Sequence, residues 1–310
     1  LLIIYSVQGN FEESYKIMIR SLKMFGIDIE GEDSNKIFLE EVEKIKYKLK
    51  NKSYSDLLNL PLNEDLTQEL ISTTLINSTA TTYQYAPHLF PFIAAKGVNI
   101  YLEYGNMKDS YGYALYGLIL GSVFNDYKGC YDCMQLCYDI SVKYNNISSK
   151  AKACNLLANY GNPFVNSLKL SEKINQVGIK AALESGEFEH GGYSLANDTA
   201  NLFLRGEILF KIQEILTDRI GLAKTFKHSI ALTILQGKEF IVNILLSSEH
   251  DRDNLLSLEK EYVKSFSKKS ANYPFAIYKV IKQSSNFYLG LYDLCFQETN
   301  EVEKSLPYIS

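Results

Sequence analysis

The sequence predicts an all-α protein on three observations. Apolar residues recur at helical spacing, strand and hairpin-turn signals are missing, and a short glycine-aromatic pattern returns along the chain. After Gly31, the residues Phe38, Val42, Ile45 and Leu49 follow at steps of 4, 3 and 4, while Glu40 and Lys44 form an outward i,i+4 pair. Residues 34–50 therefore read as an amphipathic helix, with Asp33 or Ser34 as its N-cap. No Asn-Gly or Asp-Gly turn links period-two runs, and the chain holds only 6 prolines.

Composition narrows the function classes. The 310 residues are 46% hydrophobic and 22% charged, which excludes a disordered tail, a collagen-like fibre or a disulfide miniprotein. A chain this long buries a large core, either as two domains or as one elongated array. The net charge of −4 and the absence of any basic block leave no electrostatic footprint for nucleic acid, so no such partner is expected. There is no Trp, against 23 Tyr and 16 Phe, so aromatic packing falls to the smaller rings. The longest apolar run, Leu115 to Phe124, is about half a membrane span and is broken by Gly117, Gly121 and Ser122, so no span is expected. Five cysteines, three of them crowded into one helical stretch, fit reduced thiols in a cytoplasm. The chain opens Leu1-Leu2-Ile3-Ile4-Tyr5, without Met and without a signal peptide's basic n-region, and is expected to be a segment of a longer protein.

The repeated pattern sits where helices are expected to meet. Gly9-Asn10-Phe11-Glu12-Glu13-Ser14-Tyr15 is echoed by Gly105-Asn106-Met107-Lys108-Asp109-Ser110-Tyr111 and by Asn125-Asp126-Tyr127-Lys128-Gly129-Cys130-Tyr131. Gly186-Glu187-Phe188-Glu189-His190-Gly191 and Gly290-Leu291-Tyr292-Asp293-Leu294-Cys295 continue it. Gly or Asn supplies the left-handed residue that ends one helix, and the polar residue after it starts the next. The aromatic is expected to plug the gap between the two helices. The small sixth residue (Ser14, Ser110, Cys130, Gly191, Cys295) lets them approach closely.

Gly105 to Asn125 and Gly186 to Gly206 are each 20 residues, one helix plus one turn. A pair of such units spans roughly 40 residues, more than the ~34 of a regular tetratricopeptide (TPR) repeat. The expected architecture is a right-handed α-solenoid of about seven or eight degenerate TPR-like hairpins, with a concave binding side. It is expected to run over 1–310 as a single array. A weak boundary is expected near 51–70, where Leu57-Leu58-Asn59-Leu60-Pro61 reads as a loop or short helix.

Several stretches resemble a known family. The signature Gly105-Asn106-x-x-x-Ser110-Tyr111-Gly112-Tyr113-Ala114-Leu115-Tyr116-Gly117, running into Asp126-Tyr127-Lys128-Gly129-x-Tyr131, resembles the helical region of very large multi-sensor signalling kinases. The Gly9 turn with Ser21-Leu22-Lys23-Met24-Phe25-Gly26-Ile27 is similar to that region's opening repeat. Residues Ala181 to Glu189 with Gly192-Tyr193 are similar to a later one. Ser53 to Pro61 and Gly290 to Pro307 extend the likeness over nearly the whole chain, although Asn162-Pro163-Phe164 stands where the family leads one to expect a Trp. Such proteins join a serine/threonine-kinase-like head, a P-loop ATPase module, TPR-like repeats, a GAF sensor and commonly a histidine kinase. The resemblance implies that these residues are the scaffold between nucleotide-binding and sensor modules, partnered by protein or by other domains of the same chain. The alternatives are a stand-alone TPR-like peptide-binding adaptor and a small-molecule-sensing helical effector domain.

No catalytic or cofactor-binding residue is expected. Cys130, Cys133 and Cys137 share one helix face, yet a metal site rarely forms from one continuous helix and no His lies beside them, so they read as core thiols unless Cys154 folds back onto them. His250-Asp251-Arg252-Asp253 lacks the order and companions of a kinase catalytic loop and reads as a helix N-terminus. Gly221-Leu222-Ala223-Lys224-Thr225 lacks the glycines of a P-loop, and His190-Gly191-Gly192 has no nucleophile elbow to serve. The four histidines, His88, His190, His228 and His250, lack metal-ligand spacing. Tyr101, Tyr104, Tyr111, Tyr113 and Tyr116 are expected partly in the core and partly in a groove.

Overall fold

A computed structural model describes residues 1–7, 10–248, 257–264 and 272–305. The described residues are helical, without a strand; the one β-like feature is an isolated parallel bridge between Leu62 and Asn106. The chain divides into two compact units, Leu1–Ser185 and Gly186–Ser310.

The first unit holds α1 (Leu2–Val7), α2 (Phe11–Met24), α3 (Ser34–Leu49), α4 (Tyr54–Leu58), α5 (Leu66–Asn77) and α6 (Thr79–Tyr85). It continues through α7 (Phe90–Tyr104), α8 (Tyr111–Ser122), α9 (Tyr127–Lys143), α10 (Ile147–Leu156) and α11 (Leu168–Ser185). Local chemistry starts these helices. Asp33, Asp65, Asp126 and Asn146 each accept a backbone N–H of their own first turn, and Ser53 with Asp56 completes a capping box. From α7 onward each helix packs on the next in chain order, and α8 also meets α10. Earlier the order breaks, because α3 lies on α7, four elements further along. The amphipathic stripe of α3 is buried there through Phe38, Val42 and Ile45. A π-turn at Leu157–Gly161 and a 3-10 turn at Asn162–Phe164 lead from α10 to α11.

The segment near 51–70 lies inside the first unit. Asn106 N–H donates to Pro61 O and Asn63 N–H to Asn106 O, both at 2.8 Å, which lays residues 61–63 against the end of α7. The neighbouring α4 is tied to α9 by Tyr54 Oη donating to Asp139 (2.6 Å) and by Lys143 Nζ donating to Leu58 O (2.8 Å).

The second unit holds α12 (Phe188–Leu204), α13 (Leu209–Thr225), α14 (Ser229–Leu246), a helical segment at 257–264, α15 (Asn272–Tyr288) and α16 (Tyr292–Glu303). Here α12, α13 and α14 contact one another pairwise, α15 packs on α14, and α16 packs on α15. By length and composition α14 is apolar enough to cross a membrane. It is missed by a search for uninterrupted apolar runs because Lys238 and Glu239 divide it.

Candidate functional site

The repeat turns are the residues singled out by the sequence, and the structure locates all of them except Gly9, which lies outside the described residues. Asn125 (φ 55°) and Gly186 (φ 78°) adopt the left-handed conformation after α8 and α11. The sixth-place residues Ser14, Ser110, Cys130 and Gly191 are buried, and Cys295 is half-buried. Ser14 Oγ meets Thr81 Oγ1 at 2.7 Å and donates to Leu2 O, so this position carries hydrogen bonds between helices as well as a small volume. The aromatics differ from the expected plug. Tyr127, Phe188 and Tyr292 are exposed, and Phe11 is half-buried. Each is the first residue of its helix, and Tyr292 meets Phe287 of the helix before it edge-on at 5.6 Å between centroids. Tyr127 stacks on Phe164 (4.7 Å between centroids) and Phe188 on Phe226 (4.9 Å).

Gly105 performs a different task. Its φ is 102°, and a Cβ added there would stand 2.3 Å from Pro61 O, so the approach of residues 61–63 requires glycine. Asn106, fully buried next to it, donates through Nδ2 to Leu57 O (2.8 Å) and accepts from Tyr113 Oη (3.2 Å). Tyr101 Oη accepts from the Gly112 N–H at 3.3 Å, and its ring lies where a Gly112 side chain would be. The distinctive Gly105 to Gly117 block is thus a docking seat for the end of α4 and the residues that follow it, 57–63. Tyr111, Tyr113 and Tyr116 are buried within it and Tyr101 of α7 is buried beside it, while Tyr104 is exposed.

The cysteines Cys130, Cys133 and Cys137 line the face of α9 against α8. A Cβ on Gly117 would approach Cys130 O to 2.9 Å, so the two helices meet at a small-residue seam. Burial pushes the Cys130 thiol up to about 11 and those of Cys133 and Cys154 up to about 12. Cys137 is pushed well above its ordinary value for the same reason. These thiols stay protonated at neutral pH, which makes them poor nucleophiles. Among the described residues no group of three or more His, Cys, Asp or Glu side chains is arranged to hold a metal ion.

A strongly perturbed cation stands in the second unit and was not singled out by the sequence reading. Lys238 of α14 is buried, and its Nζ donates to Ala196 O and to Thr199 Oγ1 (3.1 Å) on α12. Desolvation lowers its pKa to about 7, against the opposing field of Asp198. Asp198, also buried, pairs with Arg219 of α13 at 2.9 Å. Further along, Glu259 is ion-paired to Lys282 (2.9 Å) and accepts a hydrogen bond from Tyr278. The signal was present in the sequence. Ile234, Leu235, Lys238, Ile241 and Val242 follow at steps of 1, 3, 3 and 1, which puts the lysine on the apolar stripe.

The discounted motifs have ordinary positions. Gly221 to Thr225 forms the last turn of α13, and His190 to Gly192 lies in the first turns of α12, with His190 Nδ1 3.0 Å from Glu187. His250 to Asp253 lies outside the described residues. Comparison with known family models, characterised proteins and solved structures finds no match to this chain.

Proposed function

We propose that this chain is a non-catalytic helical-repeat scaffold of a multidomain signalling ATPase or kinase. It couples a nucleotide-binding module to sensor and output domains through protein contacts, in a cytoplasmic setting. In this reading its helices stack as degenerate TPR-like hairpins in a right-handed solenoid. The observation that carries the proposal is the serial packing of α7 through α11, helix on next helix, with a small residue buried at the seam of successive turns. The likeness of the Gly105 to Tyr131 block to the helical region of multi-sensor kinases supplies the signalling context.

Two measurements test the proposal. Reading the coding sequence on both sides of these 310 codons is expected to reveal kinase-like and Walker A motifs upstream. An initiator codon immediately before Leu1 would instead leave the stand-alone adaptor. ATP turnover by the purified chain is expected to equal that of buffer; catalytic turnover that co-purifies with it would overturn the scaffold.

A further inference from the structure

His228 begins α14, and its geometry fixes its protonation state. The Ala231 N–H donates to His228 Nδ1 at 3.0 Å, so this nitrogen must keep its lone pair and the ring must be the neutral Nε2–H tautomer. The ring is seated on α12. A Cβ on Gly192 would lie 2.3 Å from His228 Cδ2 and 2.5 Å from Cγ, and Tyr193 meets the imidazole edge-on at 4.9 Å. One side chain therefore caps α14 and joins it to the glycine step of α12.

We propose that His228 is a pH-sensitive latch: protonation of Nδ1 removes the cap of α14, places a cation at the helix's positive end and releases the ring from its Gly192 seat. The inference goes beyond the scaffold reading and does not depend on it. The groups that act on the ring from α12 are Glu189, whose charge and backbone hydrogen bond both favour the cation, and His190, which opposes it; a hydrogen bond to the backbone of His228 itself also favours the cation. The turn out of α13 brings the exposed Lys224 and Lys227 into the same stretch of chain, and neither favours a cation nearby. Burial outweighs Glu189 and holds the His228 pKa below the ordinary histidine value. The latch is therefore closed at neutral pH and opens as pH falls below the usual histidine range. Lys238, roughly 15 Å along α14, faces Asp198 on α12 and through it Arg219 on α13, while Tyr278 of α15 and Tyr262 approach the adjoining Gly237. Its titration has the same sign, so the test must separate the two bases.

The test is site-resolved hydrogen exchange of the full chain at pH 7.5 and 5.5, corrected for intrinsic rates, with an NMR titration of the histidine rings. In the wild type, protection in the first turn of α14 is expected to fall roughly five- to tenfold at the lower pH, and the His228 ring to titrate below 6.5. His228→Asn keeps a capping oxygen that does not titrate, and its first-turn protection is expected to be independent of pH. Gly192→Ala expels the ring and is expected to show at pH 7.5 the exchange seen for the wild type at 5.5. Unchanged wild-type protection, a ring titrating at or above 6.5, or a pH response retained in His228→Asn would overturn the latch. The wild-type titration decides the matter alone if a variant fails to fold.

Discussion

The two units bury different chemistry. In Leu1–Ser185 the deepest side chains are mostly phenols, thiols and aliphatics such as Tyr101, Tyr113, Met134, Leu136 and Cys137, with the buried carboxylate of Glu41, held by Asn99 and Lys44, as an exception. In Gly186–Ser310 the interior includes ionisable groups held between helices, with Lys238 on an α12 carbonyl, Asp198 on Arg219 and Glu259 on Lys282. A buried phenol or protonated thiol is neutral at pH 7 and contributes mainly area and packing. A buried lysine opposes the fold until it sheds its proton. The first unit is thus expected to answer mainly to volume, and the second more to charge.

Substitutions and pH test that contrast. In the first unit, Tyr101→Ala removes a wholly buried ring and its bonds to Ser72 and Gly112, with an expected loss of ~3–5 kcal/mol in urea unfolding. In the second, Asp198→Ala leaves Arg219 without its carboxylate. The expected loss is ~2–4 kcal/mol, below the fully buried range because the guanidinium keeps some water. Recovery of stability in the Asp198→Ala, Arg219→Met double variant would confirm that the stranded charge, rather than a cavity, is the cause.

The pH response should separate the units further. Lys238 has a folded pKa of about 7 against 10.5 for the free group, so the unfolded chain binds more protons between those values and stability rises with pH there. From pH 7 to 9 the gain is on the order of 2–3 kcal/mol, read by urea unfolding, and Lys238→Met should abolish it. Thr199 Oγ1 already donates to Ala196 O at 2.7 Å, so that variant strands neither group. The thiols of the first unit have the opposite sign. Their folded values of about 11 to 12 lie above 9.0, so the folded state retains protons and stability falls as pH rises beyond about 9. A first unit that loosened between pH 7 and 9, followed by hydrogen exchange, would erase the distinction.

Two smaller effects address the turns. Gly105→Ala meets both a positive φ and the carbonyl of Pro61, with an expected cost of ~1–3 kcal/mol and a loss of protection at Asn63 and Asn106. Tyr127→Ala removes only an exposed stacked ring, and a change in melting free energy above ~1.5 kcal/mol would show that the ring has a buried role after all.

Much of the helical framework was legible in the sequence, because helix starts and stripes are written within a few residues. The stripe Phe38-Val42-Ile45 located α3 to within one residue, and Asp33 caps it. The partner of that stripe was not legible: α3 turns to α7 instead of to its neighbour in the chain. Repeat spacing drew attention to Gly105 for its turn, whereas its demand for glycine also comes from Pro61, 44 residues away. Lys238 carried a signal that a reading for motifs passed over, since one cation on an apolar stripe is invisible to a search for clustered ligands.

By itself, the sequence determined that the chain is helical, where many of its helices begin, and that glycines and asparagines such as Asn125 and Gly186 mark turns; each depends on backbone and side-chain chemistry within about one helical turn. Only the tertiary structure decided that Lys238 is nearly stripped of water, that Gly192 makes room for His228 and that residues 61–63 settle on Gly105. Desolvation and close approach belong to surfaces brought together from distant parts of the chain, and no local pattern specifies them.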